Sequence, residues 1–278
     1  MSAISLYAKP SATFAQKLAA SRALLIASSA LYPPITQASS LGAEDMVVTH
    51  LIADMRIPCS VFVLDTRMLH AETLALIGQL EARYSLEVDV YQPDPDIAAK
   101  FVAENGEGAM YKSLGQRKTC CDFRKMEPLT RALDGKKAWV TGLRREQSNA
   151  RAEVHDVEHQ AIAVNGKPET RAKINPLADW TWGDVWHFIA LENIPYNPLH
   201  DAFFPSIGCA PCTRAVTLGE DFRSGRWWWE QESAKECGLH VEGGQAEDGT
   251  AQEPAAFEAL SSPMPSSVSR ISVKEIPA

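Results

Sequence analysis

A chain of 278 residues with 45% apolar content can bury one large core, with room for appendages. Its net charge of −8 argues against nucleic acid as a partner, and no apolar run reaches the length of a membrane span. Six cysteines without a secretory signal fit a reducing, cytoplasmic compartment, where metal binding or catalysis explains thiols better than disulfides do.

No acidic residue precedes Glu44, and Lys9, Lys17, Arg22 and many serines do, as in a transit peptide. Residues 12–31 nevertheless place Phe14, Leu18, Leu25 and Leu31 at helical spacing, so this stretch is expected to be a helix of the fold. After Pro33-Pro34, a short buried strand at Ile35–Ala38 runs into Ser39, Ser40, Leu41 and Gly42, and a helix follows from about Ala43 to Met55. Strand, small-residue loop and helix is the arrangement that turns free backbone N–H groups toward an anion. The loop lacks the lysine of a Walker motif and the glycines of a dinucleotide fingerprint, so an ordinary N-cap by Ser40 is the simpler reading in isolation.

Ser60–Leu64 reads as a buried strand ending at Asp65-Thr66, with a helix over His70–Tyr84, an alternating strand over Leu86–Tyr91 and a helix from Asp96 to Glu104. Cys59 heads its strand as a core residue. Alternating strand and helix predicts an α/β fold, a parallel sheet covered on both faces, with ligands at the carboxyl ends of the strands. Around Cys120-Cys121 lie Arg117, Lys118, Arg124 and Lys125; a solvated helix face accounts for the first two, while Lys125 sits one helical turn after Cys121. Lys137–Leu143 reads as another strand, with Arg144 beyond its end. Residues 151–171 read as a polar hairpin or loop containing one short strand, Ala161–Val164. An amphipathic helix follows from Trp180 to Ala190, then a loop over Pro195–Pro205. Residues 1–240 thus form one domain. Residues 241–278 hold six acids against two bases and little to bury, and are expected to be a disordered acidic tail.

The vicinal pair Cys120-Cys121 and the Cys-x-x-Cys at Cys209 and Cys212 add up to four thiolates, the ligand set of an iron-sulfur cluster or of structural zinc. Zinc usually draws its cysteines from positions two to four apart, because both must reach one small ion. Adjacent side chains diverge, and a 4Fe-4S cubane gives each its own iron. Zinc, inert buried thiols and a redox pair at Cys209 and Cys212 remain as alternatives.

The sixth cysteine, Cys237, stands in Glu-Cys-Gly-Leu-His, which closely resembles the signature of the assimilatory sulfonucleotide reductases. The same resemblance takes in Ser-x-Gly-Ala-Glu-Asp over Ser40–Asp45, Leu-Asp-Thr over Leu64–Thr66, Thr-Gly-x-Arg over Thr141–Arg144, Gln147-Ser148, and Arg-x-x-Arg-Trp-Trp-Trp over Arg223–Trp229. It spans about Ala12 to His240. With the cysteine quartet, the chain looks like the iron-sulfur, adenylyl-sulfate (APS) reductase branch of the PAPS/APS reductase family.

That resemblance implies an adenosine-nucleotide alpha-hydrolase-like (PP-loop) domain with a mobile C-terminal segment, and a 4Fe-4S cluster on Cys120, Cys121, Cys209 and Cys212. It implies Cys237 as the nucleophile that takes the sulfo group from APS, and Lys125, Arg223, Arg226 and His240 as the phosphosulfate-binding cations. Ser39, Ser40, Gly42 and Asp65 would hold the nucleotide, with Arg144 near its phosphate or ribose. Thioredoxin or glutaredoxin would supply the electrons, and a homo-oligomer is compatible with it. A PAPS reductase or an enzyme of dual APS/PAPS specificity is the alternative. One departure from the family pattern is Arg67, where glycine is common; if the position needs positive φ, arginine costs about 1 kcal/mol.

Overall fold

The computed structural model describes residues 2–164, 166–217 and 219–231. Cys237, His240 and the tail from 241 lie outside the described residues, as do the expectations that rest on them. Among the described residues a short helix α1 (Ala3–Tyr7) precedes α2 (Phe14–Leu31), β1 (Ile35–Ser39), α3 (Ala43–Asp54), β2 (Cys59–Leu64), α4 (Ala71–Tyr84), β3 (Val88–Tyr91) and α5 (Pro95–Asn105). The chain continues through α6 (Ala109–Lys112), α7 (Leu114–Cys121), a π-helical turn (Asp122–Met126) and α8 (Glu127–Ala132) into β4 (Ala138–Val140). The hairpin β5 (Val157–Val164) and β6 (Lys167–Ile174) leads to α9 (Trp182–Leu191).

The strands form one sheet in the order β3-β2-β1-β4-β6-β5, parallel throughout except for the antiparallel β5–β6 pair at one edge. Apolar strand residues such as Ile35, Val63, Val88 and Val140 pack with Val47, Val48 and Leu51 of α3 and with Trp186 and Phe188 of α9, closing the core to water. The expected strand over Lys137–Leu143 is shorter. Thr141 still donates to Ile174 O at 2.9 Å, and Gly142 then packs against Glu44 and Asp45 at the start of α3.

The hairpin is more regular than the polar sequence of 151–171 suggests. Lys173 is buried in β6 because Glu158 on β5 meets its ammonium at 2.8 Å, and Arg171 donates to the carbonyls of Leu133 and Lys136. Charged residues here are satisfied across the strands, so a strand is hidden behind a loop-like composition.

The N-terminal helices belong to this fold. Asp184, in the first turn of α9, accepts from Thr181 N–H at 2.9 Å in a capping box, and from Ser11 N–H (2.6 Å), Ser11 Oγ–H (3.0 Å) and Lys17 Nζ (2.8 Å). Burial pushes this carboxyl up, but Lys17 and the N–H donors of Thr181 and Ser11 win and hold it down at about 2, against an ordinary 3.8. Asp184→Ala is expected to cost about 2–4 kcal/mol at neutral pH, because it strands a half-buried lysine and several donors. A carboxyl with a depressed folded pKa stabilises fully above its unfolded value. The gap between wild type and variant therefore holds down to about pH 4 and closes as pH falls toward 2. Thermal melts across that range check this, and equal melting temperatures at pH 7 would remove the tie.

Candidate active site

In a parallel sheet the crevice opens where neighbouring strands send their chains in opposite directions, here between β1 and β4. A cavity of about 200 Å³ lies there, at the carboxyl ends of β1, β2 and β4. Ser39, Ser40, Gly42, Lys125, Arg223 and Arg226 all line it, so six of the residues expected from sequence converge on one space.

Asp65 and Arg144 are adjacent but spent on the frame. The Asp65 carboxylate accepts from Arg67 N–H (2.8 Å) and Gln92 Nε2 (2.9 Å), which pins the loop after β2. That loop does take positive φ at Arg67 (60°), the conformation suspected from the missing glycine. Arg144 is buried against Glu44, with Nε and Nη2 at 3.0 and 2.9 Å from one carboxylate oxygen, and it stacks on Trp182. Burial alone would raise the Glu44 carboxyl; Arg144 and Gln147 bring it below the ordinary carboxylate value.

The loop after β1 carries a surprise. Ser40 does not cap α3, whose N-cap is Gly42; its N–H and Oγ–H both donate to Asp45 Oδ2, at 2.7 and 2.6 Å. Both Ser40 donors are thus occupied by an internal carboxylate, and the Leu41 N–H turns to Ser39 Oγ at 3.2 Å. Burial raises that carboxyl to about 6 against the pull of Ser40. Gly142 makes the arrangement possible, since a Cβ there would sit 2.5 Å from Asp45 Oδ1. Leu41, at φ 60° and fully buried, stores local strain of about 1–3 kcal/mol at the same point.

Positive charge enters from two other elements. Lys125 comes from the π-helical turn, whose wider pitch follows directly on Cys120 and Cys121. Arg223 and Arg226 come from the segment that pairs back on the Cys209–Cys212 turn, through Arg214 N–H to Gly225 O (3.0 Å) and Trp227 N–H to Cys212 O (3.2 Å). Arg226 stacks on Trp227, its guanidinium carbon 4.6 Å from the ring centroid, and donates to Ile207 O at 3.2 Å. A Cβ at Gly208 would lie 2.3 Å from Arg226 Nη2, so any larger residue there would displace that guanidinium.

Cys120, Cys121, Cys209 and Cys212 line a second, smaller cavity, together with Arg117, Arg124, Lys125 and Trp227. All four are free thiols, and Cys209 Sγ lies 3.1 Å from Thr66 Oγ1. Burial raises the Cys120 and Cys212 thiols, the latter to about 12, while Arg124, Lys125 and Arg226 pull the other way. Among the described residues, no three His, Cys, Asp or Glu side chains close on one point as ligands of a single metal ion. The donor set fits a cluster that offers one iron per thiolate better than it fits zinc. The Trp227 indole N–H, buried at this wall without an acceptor, is a further sign of a group that accepts hydrogen bonds. Lys125 and Trp227 line both cavities and form the partition between them.

Arg117 is not on a solvated face. It is 1% exposed, donates through Nε and Nη2 to Glu230 at 3.0 and 2.8 Å, stacks on Trp227, and bonds to Cys121 as well. Its partner lies 113 residues away, beyond the reach of any local pattern. Sequence reasoning also passed over Thr66 and His200, which line the larger cavity. Thr66 stands inside the quoted Leu-Asp-Thr stretch, whereas His200 had no sequence signal at all.

Residues 34–215 match the phosphoadenosine phosphosulfate reductase domain. A protein of Burkholderia cepacia named adenosine 5'-phosphosulfate reductase is 51% identical over 205 residues, 73% of this chain and 79% of its own. A protein of the same name from Allochromatium vinosum is 53% identical over 206 residues, 74% of this chain and 78% of its own. The crystal structure of phosphoadenylyl-sulfate reductase from Candida auris shares the fold, with a TM-score of 0.57 at 24% identity over 71% of this chain and 90% of that one. Domain match, fold and half-identical relatives agree: the chain belongs to the phosphoadenosine phosphosulfate reductase family.

Proposed function

We propose that this protein reduces APS to sulfite and AMP in assimilatory sulfate reduction, through an S-sulfocysteine on Cys237 and at the expense of a thioredoxin-type dithiol. The observation that carries the reading is the convergence of Lys125, Arg223 and Arg226 on a cavity at the sheet's switch point, partitioned from four thiols by Lys125 and Trp227. Half-identical relatives named for APS support that substrate over its 3'-phosphorylated form. No helix among the described residues is long and apolar enough to cross a membrane, in keeping with a cytoplasmic enzyme.

The cations neutralise the phosphosulfate and orient its sulfur, arginine forks gripping oxygens that a lysine meets as a point charge. The Cys237 thiolate attacks sulfur; an S–S bond forms, the S–O anhydride bond breaks, and AMP leaves with the electron pair. A thiolate of the reductant then attacks the Cys237 sulfur and expels sulfite. The reductant's second thiol resolves the mixed disulfide, so two electrons pass from dithiol to sulfur and Cys237 is regenerated. Cys120, Cys121, Cys209 and Cys212 would hold the 4Fe-4S cluster, whose contribution when bound is electrostatic and structural, exerted through Lys125. Its electron-relay chemistry is not needed by two displacements.

An anaerobic single turnover with 35S-labelled APS and no reductant tests the reading. Label is expected on the Cys237 peptide and is expected to leave as sulfite when thioredoxin is added. Label on no peptide would sink the covalent route, and label from PAPS alone would move the substrate.

A further inference from the structure

His200, in the 3-10 turn Pro198–Ala202, forms part of the wall of the larger cavity and is 4% exposed. Trp186 and Trp182 hold its ring edge-on, at centroid distances of 5.2 and 6.0 Å. Neither ring nitrogen has a hydrogen-bond partner of normal geometry. The Phe204 backbone approaches the ring but can serve only one of its nitrogens, so the other, buried at a cavity wall, marks the place of a ligand.

The charge state narrows the ligand. Burial presses the imidazolium down to about 4 against the pull of Glu44, the Phe204 backbone and Asp201, so the ring is neutral in use. A neutral imidazole offers one donor and one acceptor, while the phosphosulfate is already served by Lys125, Arg223 and Arg226. With Glu44 and Asp45 on the same cavity, an anionic group is disfavoured near His200 and hydroxyls are welcome. We infer that His200 hydrogen-bonds a ribose hydroxyl of the bound nucleotide, an inference that rests on the sulfonucleotide reading above.

The experiment titrates AMP, 2'-deoxy-AMP and 3'-deoxy-AMP into the full-length protein and into His200→Ala and His200→Asn, by calorimetry. In wild type, loss of the contacted hydroxyl is expected to weaken binding about tenfold. In His200→Ala, AMP itself is expected to be weaker by about the same factor, with no further loss for that deoxynucleotide. AMP binding at wild-type strength, or an unchanged deoxy penalty, overturns the contact. A wild type that binds neither AMP nor APS overturns the nucleotide reading instead. Should His200→Ala not fold, His200→Asn and the 15N shifts of the wild-type ring decide; ring shifts that do not move on adding AMP also overturn it. A purely structural histidine would lower the melting temperature and leave the deoxy penalty intact.

Discussion

Cys237→Ser is expected to release no measurable sulfite from APS at any concentration of thioredoxin, a loss of roughly 10⁴-fold or more, while binding AMP as tightly as wild type. The reason is chemical. A serine hydroxyl is a far weaker nucleophile toward sulfur, and a sulfate ester on oxygen lacks the divalent sulfur that a reductant thiolate attacks to expel sulfite. Cys59 supplies the internal control, because burial at the head of β2 pushes its thiol up to about 12 and keeps it unreactive. Cys59→Ala should therefore keep full turnover. Sulfite release by Cys237→Ser within tenfold of wild type would reassign the nucleophile.

Arg226→Ala should lower kcat/KM for APS by roughly 10²- to 10³-fold, and Arg226→Lys should recover only part of it. This guanidinium stands at a junction: it lines the larger cavity, stacks on Trp227, bonds the chain just before Cys209 and pulls down the Cys212 thiol. Alanine removes the fork from the substrate and leaves the Gly208 contact empty. Inhibition by AMP should weaken less than turnover with APS, since AMP lacks the sulfo oxygens. Steady-state kinetics on iron-replete protein measure both. A kcat/KM within threefold of wild type would exclude Arg226 from the site.

Much of the architecture was legible because its signals are local. Val61–Leu64 is a short apolar run rich in β-branched and aromatic residues and reads as a buried strand, and the loop after Ile35–Ala38 gained weight from its place at a strand's carboxyl end. The cysteine quartet was legible for the same reason, since its chemistry lies in two short spacings. What escaped depends on partners far along the chain. Lys173 carries no strand signal until Glu158 is placed opposite, and Arg117 reads as a surface charge until Glu230 arrives from 113 residues on. Arg144 and Asp65 were assigned to the nucleotide from motif membership, yet their polar atoms are engaged by Glu44, Gln92 and the Arg67 N–H. Membership of a motif selects neighbourhood. The hydrogen-bond account then separates residues that face the ligand from those that hold the wall.

The bidentate grip of Arg117 on Glu230 fixes a root for the chain beyond it. Cys237 lies seven residues farther on, and a trans chain spans at most about 3.6 Å per residue, so its Cα can reach at most about 25 Å from the Glu230 Cα, and its sulfur a side chain's length beyond that. On the proposed cycle this reach is a boundary condition: the places where Cys237 would meet nucleotide and reductant must both fall inside one sphere centred on Glu230. The body of the protein then need not hinge. A reductant docked on the far edge of the sheet beyond that sphere could never collect its turn, which makes the sphere a map of where encounter surfaces are worth seeking.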